Sequence, residues 1–190
     1  MANDSKLRLL RILELLKANT DENHPLSTTE IEKALRERWN LEAYRITIQS
    51  DIAALIAAGY EIETIRSKQN KYYLSGRVFE LPELKLLIDA VESSKFITEK
   101  KSRQLTEKLV SLASIHDAGM LKRNISIADR IKAGNEQIYY IMDALNDAIN
   151  ARRKVRFLYF EYDGKKKRKL KNGGEPYVLS PYTLTWNGDF

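Results

Sequence analysis

Hydrophobic residues recur at helical spacing over residues 1–40. A first helix is predicted by a stripe with i, i+3, i+4, i+7 spacing: Leu9, Ile12, Leu13 and Leu16. A second helix is predicted from Ser27 to about Trp39, because Ser27 and Glu30 have the spacing of a capping box. Leu26 and Ile31 stand at the two positions of a hydrophobic staple, which supports the same helix start.

A third helix follows a short break at residues 40–42. Its predicted buried face is Ile48, Ile52, Leu55 and Ile56. Gly59 stands where a helix ends with a residue in the left-handed conformation. Two β-prone runs follow, residues 60–65 and 72–74, and residues 66–71 between them carry three positive charges and no negative one. Helix, helix, tight turn, helix and basic hairpin is the order of a winged helix-turn-helix, in which the third helix enters the major groove of DNA.

Polar side chains near the start of the third helix are suited to reading base edges. If its apolar stripe points inward, five side chains remain on or near the exposed side: Tyr44, Arg45, Thr47, Gln49 and Ser50. Arginine can pair with guanine, glutamine with adenine, and threonine or serine with a phosphate or a base. Phosphate contacts are predicted for the hairpin cations Arg66, Lys68 and Lys71. Thr28 and Thr29, at the start of the second helix, are further predicted DNA contacts. The alternative is a solvated helix face that has no partner.

The third helix also carries a spaced signature. Its residues are Arg45, Thr47, Ile48, Asp51, Ile52, Leu55, Gly59 and Tyr60. This pattern resembles the recognition-helix signature of the DeoR-like and WYL-domain transcriptional regulators. The resemblance implies that Arg45, Thr47 and Gln49 contact DNA and that Asp51 organises the helix. Members of the family often have arginine directly before the aspartate, where this chain has Ser50.

Residues 76–134 are predicted to form a helical linker and dimerisation segment. One helix begins near Pro82, with the apolar face Leu84, Leu87, Ile88 and Val91. A second helical stretch is predicted by Leu105, Leu109, Leu112 and Ile115. Gly119 and Gly134 bracket a less regular stretch that we interpret as an arm or linker. The family resemblance implies helices that connect the DNA reader to an effector domain and help to build a homodimer, whereas the alternative is more core of a single domain.

Residues 135–190 are predicted to combine a helix with short strands. The helix runs from Ile138 to Asn150, and a β-rich run follows over residues 155–160. Asp163-Gly164 predicts a hairpin turn before a basic return strand at residues 165–169, and residues 177–186 predict a further strand. Because the turn signal Asn187-Gly188 has no second strand after it, we expect the sequence to stop within this domain.

The last strand has a second resemblance. The residues Tyr177, Val178, Ser180, Pro181, Tyr182, Leu184 and Trp186 form a pattern similar to the opening of a WYL domain. The resemblance implies a small Sm-like β-barrel that senses a ligand, often a nucleotide or an oligonucleotide. The candidate effector contacts are Tyr159, Lys167, Arg168 and Tyr182, because bases stack on aromatic rings and phosphates pair with cations. The alternative is that the lysine run is a solvated edge strand.

Composition narrows the remaining function classes. The formal charge is +6, and residues 152–190 hold the whole surplus, since residues 1–151 have 22 basic and 22 acidic side chains. With no cysteine, the chain has no disulfide, thiolate zinc site or cysteine nucleophile. His24 and His116 are predicted to lie too far apart for a metal site. No glycine-rich phosphate loop or nucleophile elbow is present, so we expect neither an enzyme nor a cofactor. No apolar window is long enough for a membrane span, and we expect a cytoplasmic protein.

The sequence therefore predicts an α+β, mostly helical fold with three parts. These are a winged helix-turn-helix at residues 1–75, a helical linker and dimerisation segment at 76–134, and the start of a small Sm-like β-barrel (WYL) domain at 135–190. The expected function is a bacterial, homodimeric, sequence-specific DNA-binding transcriptional regulator whose C-terminal domain senses a ligand, with a double-stranded operator as partner. Two alternatives stay open: a single-stranded nucleic-acid binder that acts through the basic β segment, and a protein-interaction scaffold.

Overall fold

The structure is a computed structural model that describes residues 2–124, 132, 134–165 and 167–185. Over this part of the chain the fold is α+β and mostly helical, as predicted, with 52% helix, seven helices and small antiparallel sheets. The chain divides into two compact units: the first unit, Met1–Ser93 with Ser102–Asp129, and the second unit, Ser94–Lys101 with Arg130–Phe190. None of the helices described is both long enough and apolar enough to cross a membrane.

The second helix begins and ends where the local signals predict, and the first contains the predicted apolar stripe. Helix α1 spans Ala2–Asn19 and α2 spans Thr28–Trp39. At the start of α2 the capping box is complete, because Ser27 Oγ accepts from the Glu30 amide at 3.3 Å and Glu30 Oε2 accepts from the Ser27 amide at 2.7 Å. The Ser27 hydroxyl also donates to Glu30 Oε2 at 2.6 Å, and these two bonds to the carboxylate lower the pKa of Glu30.

Helix α3 spans Arg45–Ala57 and ends in a Schellman motif. Gly59 has a φ of 95°, its amide donates to the Ile56 carbonyl at 3.0 Å, and the Tyr60 amide donates to the Leu55 carbonyl at 3.1 Å. The predicted buried face is right at Ile48, Ile52 and Leu55 but wrong at Ile56, which is 44% exposed. Ile56 follows Leu55 directly and therefore lies about 100° around the helix from it.

A three-stranded antiparallel sheet completes this part of the first unit. Its strands are β1 at Leu26–Ser27, β2 at Ile62–Ile65 and β3 at Lys71–Leu74, in the order β1-β3-β2. The β2–β3 hairpin was predicted, whereas β1 was not, because two residues carry no periodicity. The core beneath the sheet contains Ile12, Leu13, Leu15, Leu16, Ile31, Leu35, Ala43, Ile48, Ile52, Leu55, Ile62, Tyr72 and Leu74.

Thr20 connects the end of α1 to β3, the middle strand of the sheet, by hydrogen bonds. Its side chain is fully buried, donates to the Leu16 carbonyl at 2.6 Å and accepts from the Leu74 amide at 3.1 Å. The guanidinium of Arg77 adds a second connection, because it donates to the carbonyls of Thr20 and Lys17 and, at 3.2 Å, to that of Leu112. Burial lowers the pKa of Arg77. Side-chain bonds to backbone groups thus hold α1, β3 and the loop after residue 110 together.

Three further helices form a smaller core. They are α4 at Leu81–Ser93, α5 at Glu99–Val110 and α6 at Ile115–Asn124. The core consists of Leu84, Ile88, Val110, Ala113 and Leu121. The prediction that the apolar face of this helix continues to Leu112 and Ile115 is wrong, because α5 stops at Val110 and both side chains are exposed. Gly119 and Met120 lie within α6 and not in an irregular stretch, while the rest of the predicted arm falls largely outside the described residues.

The second unit has one long helix and two separate strand pairs. Helix α7 spans Ile138–Asn150, as predicted. The strands are β4 at Val155–Phe157, β5 at Phe160–Tyr162, β6 at Arg168–Leu170 and β7 at Tyr177–Leu179, with β4 paired to β7 and β5 paired to β6. The strands predicted at 155–160 and 177–186 were too long, since pairing breaks at residue 158 and ends at 179, and Trp186 and the Asn187-Gly188 turn lie outside the described residues. Over the described residues between 134 and 185 no barrel closes and no side chain is buried.

Replacing Thr20 by valine should destabilise the first unit. Thr20→Val keeps the shape but leaves the buried Leu74 amide without an acceptor, so we expect a loss of about 1–3 kcal/mol in the free energy of unfolding. Thr64→Val, at an exposed position of β2, is the matched control and should change stability by less than about 0.5 kcal/mol. Urea denaturation measures both variants, and equal stabilities would contradict the role of the Thr20 hydroxyl.

Candidate nucleic-acid interface

The buried side chains of α3 fix the rotation of this helix about its axis. Ile48, Ile52 and Leu55 lie in the core of the first unit. On the flank of this stripe the Asp51 carboxylate accepts from Arg8 of α1, with Nε at 2.6 Å from Oδ2 and a terminal guanidinium nitrogen at 3.4 Å from Oδ1. Both side chains are more than four-fifths buried, so the ion pair is poorly screened by water. Asp51, which was expected to organise this helix, ties it to α1.

The outward face of α3 follows from this fixed rotation. The side chains with i, i+4, i+7, i+11 spacing opposite the buried stripe are Ile46, Ser50, Ala53 and Ala57, and all four are exposed. Arg45 and Gln49, four residues apart, share one flank of this line, with Arg45 exposed and Gln49 half-buried. Thr47 is half-buried on the opposite flank, and Tyr44 precedes the first turn with its ring largely exposed. The predicted base-reading residues are therefore divided between two flanks and a central line.

Ile46 was missed from the sequence. It is 80% exposed near the start of α3, where only polar side chains were predicted to face outward. The signal was present in the spacing, because Ile46 lies two positions before Ile48 and therefore about 200° around the helix from it. Beyond Ile46 the central line has only small side chains: Ser50, Ala53 and Ala57. Such a line lets the helix backbone approach a concave surface closely, with one large apolar side chain near its N-terminal end.

The hairpin presents cations that form no ion pair within the described residues. Arg66 and Lys68 in its loop and Lys71 in β3 are exposed, and none of them forms an ion pair with any part of the chain that the structure describes. The same holds for Arg45 on α3. By contrast, Lys33 and Arg36 on α2 pair with carboxylates of Glu37 and Glu32 one helical turn away, at 3.9 Å and 2.6 Å. The unpaired cations are available to an anionic partner.

The start of α2 lies beside the hairpin. Ser27 pairs with Lys71 across β1 and β3, and Lys71 contributes to lowering the pKa of Glu30, after the larger effect of the Ser27 hydrogen bonds. Of the two predicted hydroxyl contacts, Thr29 is exposed, whereas Thr28 is only 2% exposed and its side chain does not reach the surface. The surface at this helix start therefore offers Thr29 and Lys71.

The predicted effector residues lie on or beside the strands of the second unit. The guanidinium of Arg168 lies over the ring of Phe160, 4.7 Å from its centroid, and Lys167 is exposed directly before it. Tyr159 is exposed, and its carbonyl accepts from the Lys171 amide at 2.8 Å. The Lys171 ammonium pairs with Glu161 at 2.8 Å, which raises the pKa of Lys171. Tyr182 lies beyond β7 with its ring 88% exposed, so the contacts described do not bring it to the other three.

A groove of about 550 Å³ lies elsewhere on the first unit. Its apolar lining includes Leu10, Leu13, Tyr60, Leu74, Val78 and Leu112. None of the predicted site residues lines it, and its charged side chains are Glu14, Lys17 and Arg77. It therefore contributes nothing to the predicted interface.

The prediction for the two histidines is wrong. The rings of His24 and His116 are stacked with centroids 3.6 Å apart and planes 8° from parallel. Asp21 lies beside them: its Oδ1 is 2.7 Å from His24 Nδ1, and its Oδ2 accepts from Ser114 Oγ, two residues before His116, at 2.6 Å. Burial would raise the pKa of Asp21, but the Ser114 and His24 contacts outweigh it and lower that pKa. Folding of α6 against the loop after α1 brings the two histidines together, and sequence spacing gave no sign of this contact.

Comparison of the chain with protein-family models, curated proteins and solved structures found no match in any of the three. The function must therefore be inferred from the geometry of the chain itself. That geometry offers hydrogen-bond donors, the largely exposed side chain of Ile46 and unpaired cations on α3 and the hairpin.

Breaking the Arg8–Asp51 pair should loosen α3. In a double-mutant cycle with Arg8→Ala and Asp51→Ala, we expect a coupling free energy of about 1–3 kcal/mol, because each single change leaves a largely buried charge unpaired. The exposed pair Glu32–Arg36 on α2 is the matched control and should give about 0.3–0.5 kcal/mol. Chemical denaturation measures both cycles, and similar coupling in the two pairs would mean that Asp51 does not hold the helix.

Proposed function

We propose that the chain is a sequence-specific, DNA-binding transcriptional regulator whose residues 1–75 form a winged helix-turn-helix. The observation that carries the proposal is the outward face of α3, which is exposed along its length while its opposite face is locked into the core. The order of elements α1-β1-α2-α3-β2-β3 and the sheet order β1-β3-β2 support it. In this arrangement α3 is the helix that enters the major groove.

Three side chains of α3 would read base edges. Arg45 can donate two hydrogen bonds to guanine, and Gln49 can pair with the donor and acceptor of adenine. Ile46 can contact the methyl group of thymine, which is the one apolar feature of the major groove. The small side chains of Ser50, Ala53 and Ala57 would allow the helix to lie close to the groove floor.

Contacts with the phosphate backbone would come from the hairpin and the start of α2. Arg66, Lys68 and Lys71 supply unpaired positive charge, and Thr29 supplies an exposed hydroxyl. Residues 1–75 have 11 basic and 11 acidic side chains, so no general positive field attracts DNA to this unit. Binding therefore depends on where the unpaired cations lie, and phosphate contacts of this kind fix register without selecting sequence.

The proposal extends to assembly and to the second unit. A homodimer suits a palindromic operator, and Leu86 on α4 offers an exposed apolar side chain for such contact. The second unit would belong to a WYL-type, Sm-like domain that senses a nucleotide or oligonucleotide, with Tyr159, Lys167, Arg168 and Tyr182 as contacts. The protein would act in the cytoplasm, and the proposal assigns it no reaction.

A second candidate function rests on the strands of the second unit. Tyr159, Phe160 and Tyr162 are exposed close to Lys167 and Arg168 along the chain. Single-stranded nucleic acids stack their bases on aromatic rings and pair their phosphates with cations, and this segment offers both. This candidate predicts tighter binding to single-stranded DNA than to duplex DNA.

Competition binding separates the two functions. If the chain is the proposed regulator, a labelled duplex bound to the full chain should be displaced by unlabelled duplex at a lower concentration than by a single strand of the same sequence. The reverse order, together with weakening by Tyr159→Ala, would favour the single-strand binder. No binding to either at low salt would favour the protein-interaction scaffold.

Removing one hairpin cation should weaken binding to every duplex. Lys68→Ala should reduce the slope of log affinity against log salt concentration by about one unit, because one phosphate contact and its released counterion are lost. Lys33→Ala, which removes an exposed cation that is paired on α2, is the matched control and should leave the slope unchanged. Fluorescence anisotropy at several salt concentrations measures both, and equal slopes in both variants and the parent would contradict the hairpin contact.

Changes on α3 should alter sequence preference. After a preferred duplex has been selected from a random pool, Arg45→Ala should reduce discrimination at a guanine position by about 1–3 kcal/mol. Uracil in place of a contacted thymine removes the methyl group, so it should weaken the parent chain but not Ile46→Ala. Ile56→Ala, on the same helix but off the central line, is the matched control and should respond to uracil as the parent does. A uniform loss across all sequences would show that these side chains do not read bases.

A further inference from the structure

Three side chains with metal-binding atoms meet between the loop after α1 and the first turn of α6. They are Asp21, His24 and His116, and one ligand atom from each lies within 4.8 Å of the other two. His24 and His116 are the only histidines of the chain, which has no cysteine. Both imidazole side chains of the protein therefore lie at one place, beside a carboxylate.

The carboxylate is held in position by the surrounding backbone and by one hydroxyl. Ser114 Oγ donates to Asp21 Oδ2 at 2.6 Å, across 93 positions of sequence. The amide of Asn23 donates to Asp21 Oδ1 at 3.0 Å, and the amide of Asp117 donates to Ser114 Oγ at 3.1 Å. Hydrogen bonds of this kind orient a ligand before the ion binds, which is the role of the outer shell in metal sites.

We propose that Asp21, His24 and His116 bind a divalent transition-metal ion. Two imidazole nitrogens and one carboxylate oxygen are a donor set that zinc accepts, with water at the fourth position of a tetrahedron. Imidazole ligands also suit copper and nickel, whereas magnesium and calcium prefer oxygen donors, so the site selects borderline transition metals.

The stacked rings need one adjustment to bind a shared ion. A metal ion lies in the plane of each imidazole that it binds, and the two rings are only 8° from parallel. One ring must therefore turn about its Cβ–Cγ bond. The His24 side chain is 48% exposed and stands on the loop after α1, so it has the space to turn, while His116 is held on helix α6.

An ion at this site would join two segments that are distant in the sequence. It would link the loop between α1 and β1, which leads into the helices of the proposed DNA reader, to α6. Ion binding to the folded chain alone stabilises that fold in proportion to the logarithm of the ion concentration. The inference does not depend on DNA binding, and its tests need no nucleic acid.

Titration of the tag-free full chain with Co²⁺ tests the site directly. We expect one ion per chain and the visible absorption bands of cobalt with nitrogen ligands. His24→Gln and His116→Gln should each weaken binding by at least about tenfold, and Ser114→Ala by about tenfold through the freed carboxylate. Glu22→Gln removes the carboxylate next to Asp21 in sequence and is the matched control, so it should bind as the parent does. Far-UV circular dichroism checks that each variant keeps its helical content.

Two results would overturn the inference. One is Co²⁺ binding by the parent that is no tighter than binding by the His24→Gln/His116→Gln double variant. The other is measured on the parent chain alone and needs no variant to fold: addition of Zn²⁺ that leaves the imidazole ¹⁵N resonances of both histidines unchanged. In support of the site, Zn²⁺ should shift both resonances and raise the melting temperature of the parent but not that of the double variant.

Discussion

The packing of the apolar stripe of α3 into the core is the constraint on which the rest of the first unit depends. Ile48, Ile52 and Leu55 lie in the same cluster as residues of α1, α2 and the sheet. Full burial of each such side chain contributes about 1.5–3 kcal/mol, so the stripe outweighs any single polar contact on this helix. The Arg8–Asp51 pair then limits rotation about the helix axis. With one side committed in this way, the remaining side of α3 must face outward, and its composition decides what it can bind.

Local signals were reliable where a few adjacent residues determine the structure. The start of α2 was predicted because Ser27 and Glu30 satisfy each other's backbone and side-chain groups within one turn. The end of α3 was predicted because Gly59 adopts a positive φ that other residues avoid. Amphipathic spacing within a single segment placed α7 at Ile138–Asn150. None of these structures needs a partner from elsewhere in the chain.

Contacts between distant segments could not be predicted from the sequence pattern. Strand β1 exists only because β3 pairs with it, and nothing in Leu26 and Ser27 alone predicts a strand. The meeting of His24 with His116 depends on how α6 folds against the loop after α1. In the second unit, runs of β-prone residues predicted long strands, but a strand extends only as far as its partner does, and each observed strand has three residues. The proposed base-reading face was predictable as a region of α3, whereas its central line and the role of Ile46 required the observed rotation of the helix.

The surplus positive charge and the proposed DNA contacts lie in different parts of the sequence. The surplus of +6 belongs to residues 152–190, and the lysines and arginines that the structure describes there are exposed on strands, turns and loops. The first unit up to residue 75 is electrically balanced, and its proposed DNA contacts rest on a few cations that the described residues leave unpaired. The net charge therefore favours an anionic partner but does not locate the proposed interface.

The most direct test of the proposed interface is a methyl NMR titration of the full chain with duplex DNA, with isoleucine δ1 groups as reporters. Ile46 reports on the outward face of α3, Ile65 on the hairpin and Ile141 on the second unit, and all three are partly or largely exposed. The proposal predicts large shifts at Ile46, smaller ones at Ile65 and none at Ile141. Shifts at Ile141 with Ile46 unchanged would contradict it.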